Sequence, residues 1–317
     1  MVKNEPDWTL YRTFLAVLRD GSLSAAARTL GLTQPTVGRQ VEALEQALGL
    51  ALFTRSLHGL APTEAATELR PHAEALEASS DALLRAASGR GQDWRGTVRV
   101  TASEIIGGEV LPAIIGKLQD AHPGLVIELV LSNRVEDLLR RDADIAVRMV
   151  RPTQGPLVAR HIGQVRLGLF AHRDYLRRHG TPKTMEQLSQ HRMIGYDRET
   201  AFTRDVRARG VPLNRDMFSL RIDNDLAALA AMRAACGIGV CQIPLAARKP
   251  ALVPVLPESF KFPLEIWIAM HGDLRGSRRC RLVFDALAAG LTEYLSGSTS
   301  ESKQIRHAGA RRHPEHR

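Results

Sequence analysis

The chain has 317 residues, 44% of them hydrophobic and 24% charged, with a formal net charge of +9. This length calls for two or three domains, and the hydrophobic fraction supplies a real core, which excludes a wholly disordered chain. Three cysteines, Cys236, Cys241 and Cys280, form no metal-ligand spacing and no disulfide framework, and no apolar run reaches the length of a membrane span.

The first predicted element is a helix from Trp8 to Arg19. Trp8, Tyr11, Phe14, Leu15 and Leu18 recur at helical spacing behind Asp7, a natural N-cap. Two short amphipathic helices follow between Ser22 and Leu48. Ser22 caps the first, whose Ala25, Ala26 and Ala27 permit close helix approach, and Gly31 supplies the turn. Thr33 caps the second, and Pro35 is tolerated in its first turn. Val37, Val41, Leu44 and Leu48 then make one buried stripe. The opposite face presents Gln34, Thr36, Gly38, Arg39 and Gln40, polar or small side chains suited to a major groove. Leu52 to Arg55 reads as a strand, His58-Gly59 as a hairpin turn and Leu60-Ala61 as the return strand. A recognition helix followed by such a wing is a DNA-binding arrangement, with Arg55 placed for a phosphate.

The run Ala25-Ala26-Ala27, Leu30, Leu32-Thr33-Gln34-Pro35-Thr36-Val37, Arg39-Gln40-Val41, Leu44-Glu45, Leu48-Gly49, Leu52-Phe53 and Arg55 resembles the winged helix-turn-helix of LysR-type transcriptional regulators. Gly38 stands where that family usually has a small polar residue such as Ser, and a mid-helix Gly costs about 1 kcal/mol relative to Ala. The resemblance implies DNA contacts from Thr33, Gln34, Pro35, Thr36, Gly38, Arg39, Gln40 and Arg55, and double-stranded DNA with an interrupted palindrome as the partner.

Thr63 then caps a helix running to about Ala87. Its stripe Leu69, His72, Leu76, Ser79, Leu83 and Ala86 is a heptad seam of modest hydrophobicity, and Pro71 predicts a kink. In the family it resembles, this linker helix makes an antiparallel dimer contact, so a homodimer or homotetramer is implied. Ser88 to Gln92 is a hinge by composition. Beyond it strands and helices alternate: strand 96–102, helix 110–121, strand 126–131, helix 135–140 and strand 145–148, a βαβαβ order that implies a parallel sheet. Further strands are predicted at 157–162, 165–170, 192–196, 240–243 and 265–270, with helices near Tyr175, at 185–189, 225–235 and 278–295.

This second part resembles the effector-binding domain of the same family, two α/β lobes of the periplasmic-binding-protein type. The expected fold is therefore α plus α/β: a winged helix-turn-helix at 1–62, a linker helix and hinge at 63–93, and an effector domain at 94–295. Lobe one is expected at 94–162 and 267–295, and lobe two at 163–266. Residues 296–317, rich in Ser, His and Arg, read as a disordered tail.

Ligands of open α/β sheets bind at the carboxyl ends of strands, where helix N-termini point. Ser103 ends the first strand, Ser132 and Asn133 the second and Arg148 the third; Phe202, Thr203 and Asp223 are candidates from the second lobe. Ser132 and Asn133 read equally well as local turn residues, and Arg148 as a structural bridge. The resemblance adds that effector sites of the family commonly use a Ser or Thr at the position of Ser103. Charge bears on the ligand: residues 1–90 hold 9 Lys+Arg and 10 Asp+Glu, whereas residues 91–295 hold 29 and 22. The DNA reading therefore rests on the motif, and the basic excess points to an anionic effector, a small carboxylate.

No nucleophile elbow, phosphate-cradling Gly loop or metal signature appears, so no enzyme, cofactor or metal is expected. Met1 to Leu10 lacks an apolar signal stretch, which predicts a cytoplasmic protein without membrane contact. The expected function is a sequence-specific transcriptional regulator, engaging RNA polymerase if it activates. An effector-independent architectural DNA binder and a solute-binding protein with an added helical head are the alternatives.

Overall fold

The computed structural model of the protein describes residues 5–56, 59–88, 94–133, 143–152, 157–208 and 214–309. Two compact units divide near Ala87 and Ser88. The first contains helices α1 (Trp8–Asp20), α2 (Leu23–Leu30) and α3 (Gln34–Leu48), strands β1 (Phe53–Ser56) and β2 (Gly59–Pro62), and the long helix α4 (Glu64–Ser88).

Local chemistry sets the helix boundaries. Asp7, Ser22 and Thr33 accept the N–H groups of Thr9, Ala25 and Thr36, and Gly21, Gly31 and Gly49 end the same helices in the left-handed conformation. One buried cluster gathers Phe14, Leu15, Leu44, Leu52, Ala66 and Ala73, and a second gathers Ala16, Val17, Ala26, Ala27, Val37 and Val41. The stripe on α3 is thus divided between two small cores. The Glu45 carboxylate accepts the N–H groups of Leu52 at 2.6 Å and Phe53 at 3.1 Å, which pins the wing to the recognition helix. β1 and β2 pair antiparallel from Phe53 opposite Pro62 to Ser56 opposite Gly59.

α4 changes one expectation. Leu69 packs into the head's own core beside Ala66 and Ala73, whereas Leu76, Leu83 and Leu84 are 48%, 68% and 67% exposed. The first turns of the helix wind onto the head, so only its later turns carry free apolar side chains. Pro71 lies within the unbroken helical span.

The second unit opens with β3 (Gly96–Ala102), a π-helical turn at Ile106–Val110, α5 (Leu111–Ala121), β4 (Leu125–Leu131) and β5 (Ile145–Arg148). β3 pairs in parallel with both β4 and β5. The helix expected at 135–140 lies outside the described residues. The two strands expected at 157–162 and 165–170 are one 16-residue strand, β6 (Leu157–His172). Gly163, at φ 149°, lets the backbone continue where a side chain would be strained.

Then come α6 (Arg173–His179), β7 (Met193–Gly195), α7 (Ala201–Ala208), β8 (Phe218–Arg221), α8 (Asp225–Arg233) and β9 (Ile238–Gln242). The unit finishes with α9 (Ile243–Ala247), β10 (Leu252–Val255), β11 (Phe262–His271) and α10 (Arg278–Gly309). The sheet runs β4-β3-β5-β11-β6-β9-β7-β8, with β10 beside β6. Apolar packing splits it in two. One core draws on residues between Val98 and Val165 and between Ile266 and Tyr294; two others draw on residues between Leu167 and Phe262. These halves are the first and second lobes, and the antiparallel strands β6 and β11 cross between them.

α10 continues past Leu295 to Gly309, into the stretch expected to be disordered; no proline interrupts the chain there before Pro314. Residues 310–317 lie outside the described residues. Among the described residues no helix is long and apolar enough to cross a membrane.

Candidate functional site

The head presents the exposed N-terminal face of α3. Thr33 and Thr36 share a hydroxyl–hydroxyl hydrogen bond of 2.8 Å at the helix start. Gln34, Pro35 and Arg39 are exposed, and the Arg39 Nε donates to the Pro35 carbonyl at 3.4 Å. Gln40 is turned inward instead. Its carbonyl oxygen accepts the hydroxyl of Thr13 at 2.6 Å, and Thr13 is only 2% exposed. A buried hydroxyl needs a partner, so the α1 packing claims the carbonyl end of Gln40. A Cβ at Gly38 would meet only Leu23 Cδ1, at 3.7 Å. Arg55 pairs through its backbone with Leu60 in the wing; its side chain lies outside the described residues.

In the second unit Ser103 follows β3 directly. It is 8% exposed, and among the described residues its hydroxyl has no hydrogen-bond partner. Its own backbone is anchored, the N–H donating to Val147 O at 3.2 Å and the carbonyl accepting from Gly107 N at 2.8 Å. Two glycines allow the following helix to start this close to its neighbours. A Cβ on Gly107 would stand 2.2 Å from Leu131 Cδ2, and one on Gly108 would stand 2.8 Å from Leu226 Cδ2 of α8.

Around Ser103 the lobes meet. Ser132 is aligned at the adjacent strand end, its N–H donating to Ala102 O at 2.9 Å. Asn133 accepts the N–H of Glu104 at 3.1 Å and donates to Asp225 Oδ2 at 2.9 Å. Asp225 Oδ1 accepts the Tyr196 hydroxyl at 2.6 Å, and the Asp225 N–H donates to Glu104 Oε2 at 2.6 Å. Burial, then the charges of Asp225, Glu104 and Asp223, pushes the Tyr196 phenol well above its ordinary pKa, so it remains a donor. Phe202 stands edge-on to Tyr196 at 6.2 Å and to Phe262 at 5.3 Å between ring centroids.

Other expected contacts are engaged elsewhere. Arg148 is 3% exposed and donates to Thr101 Oγ1 at 2.9 Å, bracing the sheet. Thr203 exchanges bonds with Thr200 at the start of α7, its hydroxyl accepting Thr200 N–H at 2.8 Å. Asp223 accepts the N–H groups of Asp197 and Arg198, both at 2.9 Å, and so closes a turn. The Thr203 hydroxyl and Asp223 Oδ1 thus serve nearby backbone, while Asp223 Oδ2 faces Arg198 at 3.5 Å. The basic excess of this unit is not gathered at Ser103, where Glu104, Asp223 and Asp225 stand.

Sequence reasoning missed Glu104, Tyr196, Asp225, Glu109 and Arg233. Glu104 and Asp225 each open a helix at a strand's carboxyl end, which was a usable signal. Their contact spans 121 positions, and that of Glu109 with Arg233 spans 124, so no local pattern announces either. Cys241 is 5% exposed, and burial pushes its thiol up to about 12, as it raises Cys280. Among the described residues no cluster of three or more His, Cys, Asp or Glu can hold a metal.

Two family models match the chain. The bacterial regulatory helix-turn-helix protein, lysR family, matches residues 8–67, and the LysR substrate binding domain matches residues 91–292. The chain is similar to an HTH-type transcriptional regulator of Xanthomonas campestris pv. campestris, 31% identical over 67% of this chain and 59% of that protein. It is also similar to the probable HTH-type transcriptional regulator LtrA of Klebsiella pneumoniae, 27% identical over 94% of this chain and 98% of that one. The solved structure of CrgA, a LysR-type transcriptional regulator from Neisseria meningitidis, shares the fold with a TM-score of 0.56, 23% identity, and coverage of 90% of this chain and 99% of that chain.

Proposed function

The chain belongs to the LysR family of DNA-binding transcriptional regulators, and from that premise we propose that it switches transcription when a small carboxylate enters between its lobes at Ser103. One observation carries this reading: a hydroxyl at a strand's carboxyl end, 8% exposed and without a partner among the described residues. A buried donor left unpaired costs free energy that a ligand acceptor recovers. Ser132, Tyr196 and Phe202 complete the surroundings. Gln34 and Arg39, with Thr33, Pro35 and Thr36, meet base edges and phosphates of an interrupted palindrome, and Arg55 meets a phosphate beside the wing. Dimers or tetramers assemble through the exposed later turns of α4, and ligand-driven closure of the lobes changes the angle between heads and the engagement of RNA polymerase. The site of action is the cytoplasm.

The experiment is calorimetric titration of the full-length protein with hits from a carboxylate screen. Ser103→Ala is expected to weaken binding by about ten- to a hundredfold, the worth of one charge-assisted hydrogen bond of about 1.5–3 kcal/mol. Equal affinity of Ser103→Ala and wild type places the site elsewhere.

A further inference from the structure

We propose that the molecule taken up at Ser103 also carries an ammonium group, so that it belongs to the α-amino acid class, with Glu104 and Asp225 receiving the positive charge. This rests on the Ser103 reading above. The observation behind it is a contrast between the two ends of α8. At its last turn Arg233 meets Glu109 of the first lobe through bonds of 2.7 and 2.6 Å, and the charges compensate. At its first turn the Glu104 carboxylate of one lobe reaches the backbone of Asp225 in the other, and among the described residues no cation pairs with either carboxylate. Glu104 accepts the Asp225 N–H, and Asp225 accepts from the Tyr196 hydroxyl and the Asn133 amide. All three donors are neutral. The nearby Asp223 is paired with Arg198 at 3.5 Å; among the described residues, no Lys, Arg or His side chain forms an ion pair with Glu104 or Asp225.

Part-buried carboxylates favour an opposite charge, and among the described residues no Lys, Arg or His side chain pairs with either one at this end of α8. A ligand ammonium supplies that charge. The Tyr196 hydroxyl donates to Asp225, and its ring meets Phe202 edge-on, so the neighbours of Asp225 here are a neutral donor and an aromatic pair. Ser103 and Glu104 are consecutive residues, with Cα atoms about 3.8 Å apart, so the backbone brings a donor for a carboxylate and an acceptor for an ammonium to the same strand end. The same two carboxylates repel a ligand that brings a carboxylate alone. They set specificity, while Ser103 supplies the donor.

The test uses the full-length protein in thermal-shift screening followed by calorimetry against three matched series: α-amino acids, the same skeletons without the amino group, and the corresponding amines without the carboxylate. Zwitterions are expected to bind. Glu104→Gln, which keeps an acceptor for the Asp225 N–H, and Asp225→Asn, whose new amide NH2 the Tyr196 hydroxyl can turn to accept, are each expected to weaken them by about tenfold or more. Both are also expected to bind the deaminated acids more tightly than wild type does, a gain that misfolding does not produce. Tight wild-type binding of a deaminated acid, undiminished against its amino acid and unchanged in Glu104→Gln, overturns the ammonium assignment and leaves the Ser103 reading intact. Binding of amines alone, lost in Glu104→Gln but retained in Ser103→Ala, overturns the zwitterion and the Ser103 reading together. No binding in any series overturns the inference.

Discussion

Glu109 and Arg233 join the two lobes by a bidentate ion pair, with hydrogen bonds of 2.7 and 2.6 Å between positions 124 apart in sequence. Their side chains are 20% and 33% exposed, so water screens the pair only in part. It fixes the far end of α8 while the near end borders Ser103. Both ends of α8 are tied to the first lobe, the last turn through Glu109 and the first through Glu104 and Asn133.

The pair makes stability depend on pH in one direction. The hydrogen bonds from Arg233 hold the Glu109 carboxyl below its ordinary value of 4.5. The unfolded chain then binds this proton more readily than the folded one, so the contribution is complete above the ordinary value and is lost as pH falls through the lower folded value. Glu109→Gln is expected to cost about 1–2 kcal/mol at pH 7, between the worth of an exposed and a buried pair. Urea unfolding across acid pH checks it: the gap between wild type and variant should narrow as pH drops, and a gap independent of pH contradicts the assignment.

Arg39 and Gln40 are neighbours with different duties. Arg39→Ala should weaken operator binding by about 1–3 kcal/mol and leave the melting of the head unchanged. Gln40→Ala removes the acceptor for the buried Thr13 hydroxyl and should destabilise the head by about 1–3 kcal/mol. Thermal melts beside gel-shift titrations separate the two effects. An Arg39→Ala protein that binds operator DNA as wild type does would remove Arg39 from the reading face.

Gly38 sits inside α3 with open space for a side chain, since a new Cβ meets only Leu23 at an ordinary 3.7 Å. Gly38→Ala should stabilise the head by up to about 1 kcal/mol through helix propensity alone. A lowered melting temperature would show that a close approach excludes the methyl group. Operator affinity measured on the same variant reports whether DNA comes near enough to require the glycine.

The exposed Leu76 and Leu83 of α4 should be covered in the assembled protein. Leu76→Asp is expected to yield monomers with much weaker operator affinity, because paired half-sites are then read singly. Leu69→Asp should unfold the head instead, since Leu69 packs in its core. Light scattering and circular dichroism distinguish dissociation from unfolding, and a wild type that is monomeric at micromolar concentration contradicts the seam.

The head was legible in sequence because its determinants are local. Asp7, Ser22 and Thr33 lie next to the helices they cap, Gly21, Gly31 and Gly49 lie at the ends they close, and the Val37, Val41 and Leu44 stripe recurs within a single helix. The position of Ser103 between a strand and a helical turn was legible for a similar reason, since the three are consecutive in sequence. The tertiary structure alone decided that Leu69 belongs to the head rather than to the seam, that Gln40 turns to Thr13, and that Glu104 meets Asp225. It also decided that Thr203 and Asp223 satisfy turns. Hydrophobic periodicity reports which face of one element is buried, but not which element covers it. A polar side chain shows in sequence what it can bond to; its partner is chosen only when distant segments have packed and each buried donor and acceptor must find a match.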